Sequence, residues 1–132
     1  MNSSPEKSRR IFVDTNVIID FLDGRDLRAK DFVMLSYACR FSWVVSSSIL
    51  YELERNKASL DVLVPLLVSK RKWFVEQLRS EDIVLAGTLP THFADACHAA
   101  VALRLGIPVI TRNPKDFVVI PNLEVLQYDD IR

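Results

Sequence analysis

Carboxylates fall in this chain at the points where apolar runs give way to polar clusters. Asp14 follows "IFV" and is followed by Thr15 and Asn16; "SSS" at 46–48 leads to Glu52; Thr111 is followed by Asn113 and Asp116; Asp95 stands within "FADAC". Carboxylates brought together repel one another and lose hydration, which costs several kcal/mol unless a positive charge sits between them. A hard divalent cation meets that need, and an oxygen-only donor set suits Mg²⁺ or Mn²⁺ rather than zinc. Such a cation lowers the pKa of water and stabilises charge on a phosphoryl group, so the reaction class it points to is phosphodiester hydrolysis. Singly, each residue also has an ordinary reading. Asp14 could cap a helix, Asp95 could complement a helix dipole, Glu52 could be surface, and Asp116 could cap or pair with Arg112.

The elements that would gather these residues follow from pattern. Ile11, Phe12 and Val13 form the short apolar run of a strand buried on both faces, with a strand expected over 11–14. "DTN" is helix-start chemistry, and helices are expected over 16–22 and 26–39, with the "DGRD" turn between them. "FSWVV" reads as a strand and the serines after it as the cap of a helix from about Ile49. Helical pattern is expected over 60–78, with Pro65 early in it, and "DIVLAG" at 82–87 as a strand or an extended connection. From Thr91 a long helix places Phe93, Ala96, Cys97, Ala100, Val101 and Leu105 on one stripe and stops at Gly106. "IPVIT" at 107–111 and "LEVLQY" at 123–128 are strands, with "NPKDF" a turn or one helical turn between them. Strands separated by helices imply βαβ units and a mainly parallel sheet covered on both faces. In such a sheet the strand ends at Asp14, Ser46 and Thr111 share one edge, where open α/β sheets bind ligands.

The bulk properties bound what the chain can be. Its 132 residues suit one domain, expected over 10–132 behind a flexible tail at 1–9. Seventeen basic residues balance seventeen acidic ones, so nucleic acid would be met by local patches rather than by net charge. "KSRR" at 7–10 and "KRK" at 70–72 are candidates, with solvated surface the simpler reading. The cysteines, Cys39 and Cys97, have neither metal nor redox spacing and read as small core residues. No stretch approaches the roughly 20 apolar residues of a membrane span, and the N-terminus lacks a signal-peptide core, so a cytoplasmic protein is expected. His98, one turn along from Asp95, is in reach of it but reads as a partly buried structural residue, and His92 as a surface residue at a helix start. Trp43 reads as core, and Trp73 as core or dimer interface.

Together, "IFVDTNVIIDFL", "SSSILYELERN" and "FADACHAAVALRLGIPVITRNPKDF", in that order, resemble the PIN-domain family, particularly its VapC-type toxins. The resemblance implies a three-layer α/β/α sandwich around a mainly parallel central sheet and a ribonuclease that uses Mg²⁺ or Mn²⁺. It carries Asp14, Glu52 and Asp95 onto the family's first acidic positions. For the fourth, Asn113 stands where many relatives have aspartate, and Asp116 lies just beyond it; both are retained. Thr15, Asn16 and Thr111 resemble supporting polar residues. A homodimer built on helices 26–40 and 60–78, an RNA substrate and an antitoxin partner are likewise implied. The short stretch before Asp95 implies that a helix many relatives carry there is missing or merged into 60–78. The rival from another class is a degenerate module that binds RNA or a protein without cutting, kept open by Asn113. A phosphatase-like or response-regulator-like domain is disfavoured, because three glycines leave no glycine-rich loop.

Overall fold

The computed structural model describes residues 9–24, 26–37, 41–55 and 73–130. Strand β1 (Arg9–Val13) leads into α1 (Thr15–Asp23) and α2 (Leu27–Tyr37), then β2 (Phe41–Ser46) into α3 (Ser48–Arg55). Next come β3 (Trp73–Glu76), α4 (Ser80–Ala86), α5 (Phe93–Leu105), β4 (Val109–Ile110), a 3₁₀ turn at Pro114–Asp116, β5 (Val125–Leu126) and a final 3₁₀ turn at Tyr128–Asp130. The strands form one sheet in the order β3-β2-β1-β4-β5, and every pairing is parallel. The parallel α/β architecture expected from the alternation of elements is therefore the one observed.

Alternation along the strands divides the core into two layers. Ile11, Val13, Trp43, Val45 and Ile110 pack with Val17 and Ile18 of α1 and Phe32 of α2 on one face. Phe12, Val44 and Val109 pack with Ala99, Val101 and Ala102 of α5 and with Phe117 and Ile120 on the other. Trp43 is core, as expected, and its ring lies 4.8 Å from that of Phe32. Gly106 ends α5 with φ +67°, the left-handed conformation that glycine adopts without steric penalty, and its N–H bonds back to Leu103.

Several expected elements differ. Residues 73–76, expected inside a helix over 60–78, form β3, pairing with Trp43 to Ser46; residues 60–72 lie outside the described residues. "WFVE" carries β-favouring aromatic and branched side chains, and edge pairing to β2 outweighs the helical period read across it. The stretch 82–87, expected as a strand or an extended connection, falls almost wholly within α4 (Ser80–Ala86). The helix expected to be missing, or merged into 60–78, is thus present as α4. Its start is set by Asp82, whose carboxylate accepts the Arg79 N–H at 2.8 Å, a local signal that the apolar run in "DIVLAG" masked. In α5 the apolar stripe is not one-sided. Ala96 to Ala102 are all buried, because small side chains let the helix lie close between the sheet and α4, while Phe93 is exposed. β1 starts at Arg9, inside the expected tail, and the strands expected over 107–111 and 123–128 shorten to Val109–Ile110 and Val125–Leu126. Cys39 and the basic run 70–72 lie outside the described residues.

Two ion clusters join this frame. Arg104 near the end of α5 donates to Asp82 through Nε at 2.9 Å and Nη2 at 3.1 Å, and to Glu76 at 2.9 Å, fastening α5 to α4 and β3. Burial alone would raise the Asp82 carboxyl, but the Arg104 guanidinium and the Arg79 amide hold it below the usual carboxylate range. Asp20 of α1, fully buried, accepts the Tyr128 hydroxyl at 2.7 Å and Arg112 at 2.6 Å, which ties the C-terminal turn to α1. Arg112 therefore pairs with Asp20 rather than with Asp116. Removing one partner of a buried ion pair costs about 3–5 kcal/mol because the remaining charge loses its compensation. Arg104→Ala should accordingly lower the unfolding free energy by about 3 kcal/mol in urea denaturation, whereas Arg9→Ala, at an exposed pair with Glu124, should change it by under about 1 kcal/mol.

Candidate active site

β1 is flanked by β2 on one side and β4 on the other, so the strand order reverses between β1 and β4. Parallel sheets open a crevice at the carboxyl ends of the strands at such a switch point. Asp14 is the first residue beyond β1, and Thr111 the first beyond β4. The Asp14 N–H bonds to the Ile110 carbonyl at 3.1 Å, and the Thr111 hydroxyl donates to Asp14 Oδ2 at 2.8 Å. Asn16 Nδ2 approaches the same oxygen at 3.5 Å.

Asp14 occupies the N-cap position of α1 in extended conformation, yet its side chain makes no capping hydrogen bond. The ordinary reading of this residue is therefore incomplete: the carboxylate is directed across the switch point toward β4. It is 3% exposed. Burial pushes its pKa upward, partly offset by His98, by the Thr111 hydroxyl and by the Thr15 amide.

Glu52 reaches the centre from α3. Its Oε2 accepts the Thr15 hydroxyl at 3.2 Å, and its Oε1 stands 3.0 Å from His98 Nε2. At that distance the charges of the two groups are directly coupled. His98 is 1% exposed and lies against the Phe12 ring, 5.4 Å between centroids. Burial alone would depress the imidazole pKa, but Glu52, with Asp14 and Asp95 behind it, raises it. Burial likewise acts to raise Glu52, and His98 outweighs it, bringing the carboxyl below its ordinary range. His98 is thus buried, more fully than the partly buried residue its surroundings in sequence implied. Its engagement with Glu52 had no local signal, because the two come from separate helices.

Asp95, in the first turn of α5, is half-buried. Its pKa is pushed up to about 6 by burial and by the charges of Asp14 and Asp116, against the pull of His98 and His92. Asp14 is thus within electrostatic reach of Glu52 and of Asp95, and Asp95 within reach of Asp116. Asn113 precedes the 3₁₀ turn that carries Asp116, and its N–H donates to Thr111 Oγ at 3.0 Å. Among the described residues no three His, Cys, Asp or Glu side chains converge to ligating distance. His92 is exposed at the N-cap of α5, as expected.

The raised pKa of Asp95 fixes a sign. The folded state holds this proton more tightly than the unfolded chain, whose aspartates titrate near 3.9. The associated stability is therefore complete below about pH 4 and is lost as pH rises through about 6. In EDTA, Asp95→Asn should melt a few degrees above wild type at pH 7.5, and the advantage should shrink to nothing below about pH 4. A thermal melt series across that range checks it.

A family model for the PIN domain matches residues 11–122, a span that includes all the carboxylates above. No curated protein matches. Solved structures do. A chain of the DNA-bound VapBC complex from Salmonella typhimurium superposes with a TM-score of 0.71 at 19% identity, covering 91% of this chain and 98% of that one. VapBC2 from Rickettsia felis, bound to a promoter DNA fragment, gives 0.69 at 19%, covering 89% and 98%. A toxin–antitoxin complex from Klebsiella pneumoniae gives 0.65 at 24%, covering 89% and 97%. These likenesses show the fold, and the family match extends over most of the chain and its whole carboxylate cluster. The chain belongs to the PIN-domain family.

Proposed function

We propose that this chain is a metal-dependent endoribonuclease and the toxin of a toxin–antitoxin pair. The observation that carries the reading is Asp14: a buried carboxylate at the switch point, in cap position without a capping bond, held by Thr111 and felt by Asp95 and Glu52. The donor set fits a hard divalent cation, because it is all oxygen and because burial and mutual repulsion already drive Asp14 and Asp95 toward their protonated forms. Asp14, Glu52 and Asp95 would hold Mg²⁺ or Mn²⁺, with Asp116 or Asn113 completing the set. The charge of Asp116 already acts on Asp95, which favours it over Asn113. Bound there, the cation supplies a lowered pKa for water and charge stabilisation at the phosphoryl group.

The protein groups have separable tasks in this reading. Thr111 fixes the Asp14 carboxylate, and Thr15 with His98 fixes that of Glu52. Such outer partners orient the groups that meet a metal. An antitoxin partner is supported by the structural neighbours, which are themselves toxin–antitoxin complexes; a homodimer and a cytoplasmic site of action belong to the same proposal. No helix among the described residues is long and apolar enough to cross a membrane.

The test is cleavage of a mixed-sequence pool of labelled single-stranded RNA in Mn²⁺, Mg²⁺ or EDTA. Wild type should cut with either metal and not in EDTA. Asp14→Asn and Asp95→Asn should each lose at least about 100-fold, beyond the 10–100-fold typical of outer-shell changes. Equal traces in all three proteins, without thermal stabilisation by Mn²⁺, would instead establish the non-cutting binding module that Asn113 keeps in play.

A further inference from the structure

A cavity of about 350 Å³ opens between the loop before α5 and the 3₁₀ turn after β4, lined by Pro90, Thr91, His92, Lys115, Asp116 and Val119. It adjoins the carboxylate centre: Asp116 lines it, and both Asp116 and His92 act electrostatically on Asp95. Its volume lies at the low end of ligand clefts, about 300–1,000 Å³, room for a nucleotide rather than a folded segment.

Its chemistry is divided. Lys115 is exposed, and although it is next to Asp116 in sequence, no carboxylate among the described residues lies within ion-pair distance of it. Arg112, three residues before it, is committed to Asp20. Thr91 and His92 add side-chain hydrogen-bonding groups. Val119, about half exposed, and Pro90 give an apolar wall, with exposed Phe93 following His92. An uncompensated cation beside an apolar surface is what a nucleotide demands, since its phosphate is anionic and its base has an apolar face. The acidic centre repels a polynucleotide, and a neighbouring cation offsets that repulsion where the strand must continue.

We propose that this cavity is a subsite for the nucleotide flanking the scissile phosphate of single-stranded RNA, with Lys115 on the flanking phosphate and the base against Val119. This rests on the ribonuclease reading above and adds where the strand runs.

The experiment takes one labelled oligonucleotide that wild type cuts from the mixed pool and follows KM and kcat at several salt concentrations. Lys115→Gln should raise KM about fivefold to tenfold, with kcat within about twofold, and flatten the logarithmic salt dependence by about 0.7, the loss of one single-strand phosphate contact. Lys115→Arg should restore KM. Lys30→Gln, exposed in α2 on the other face of the sheet, should behave as wild type and so exclude an effect of net charge. A neutral methylphosphonate at one of the two linkages next to the cut should abolish the difference between Lys115→Gln and wild type. A wild-type KM and salt slope in Lys115→Gln overturns the subsite, as does a difference that survives neutralisation at each of the two linkages in turn. A wild type that cuts no RNA overturns the ribonuclease reading itself, so the two failures are told apart.

Discussion

Asp14 is a buried carboxylate whose side-chain hydrogen-bonding partners among the described residues are a hydroxyl and an amide. That is a costly arrangement, and the structure around it is arranged to maintain it. β1 lies at the centre of the sheet, so Asp14 is shielded on both sides, and Thr111 reaches it because β4 is paired to β1 in parallel register. The apolar layers that Phe12 and Val13 anchor on opposite faces keep that register. A slip by one residue would turn each strand side chain to the other face and take Asp14 away from Thr111.

The second constraint is the closeness of α5 to the sheet. A run of small residues brings His98 and Asp95 against the carboxyl edge, and His98 then meets Glu52 from α3. Placing an imidazole that tends to protonate beside a carboxylate that tends to ionise offsets part of the negative charge at one end of the centre. It leaves Asp14 and Asp95 as the groups whose ionisation is opposed. A site whose fold opposes the ionisation of its carboxylates has an affinity for positive charge built into it, which is the physical link from fold to proposed chemistry.

Much of this was legible in the sequence because its signals were local. The apolar run before "DTN", the glycine after α5 and the serines after β2 mark element ends, and the parallel sheet then follows from the alternation of strands and helices. What failed was decided elsewhere in the molecule. β3 carries a pattern that either period accommodates, and pairing with β2 settles it. α4 is nucleated by Asp82, whose importance depends on Arg104 many residues later. The Glu52–His98 contact and the Asp20–Arg112–Tyr128 cluster join segments far apart in the chain, so no spacing announces them.

The central claim is that Asp14, Glu52, Asp95 and a residue of the 113–116 segment surround one place where a hard divalent cation is held. The most direct measurement is anomalous scattering from crystals of wild type grown with Mn²⁺, recorded on both sides of the manganese absorption edge. The account predicts a peak among Asp14, Glu52 and Asp95 that is absent in Asp14→Asn crystals. No peak at the carboxyl end of β1, in crystals whose solvent contains saturating Mn²⁺, would contradict it.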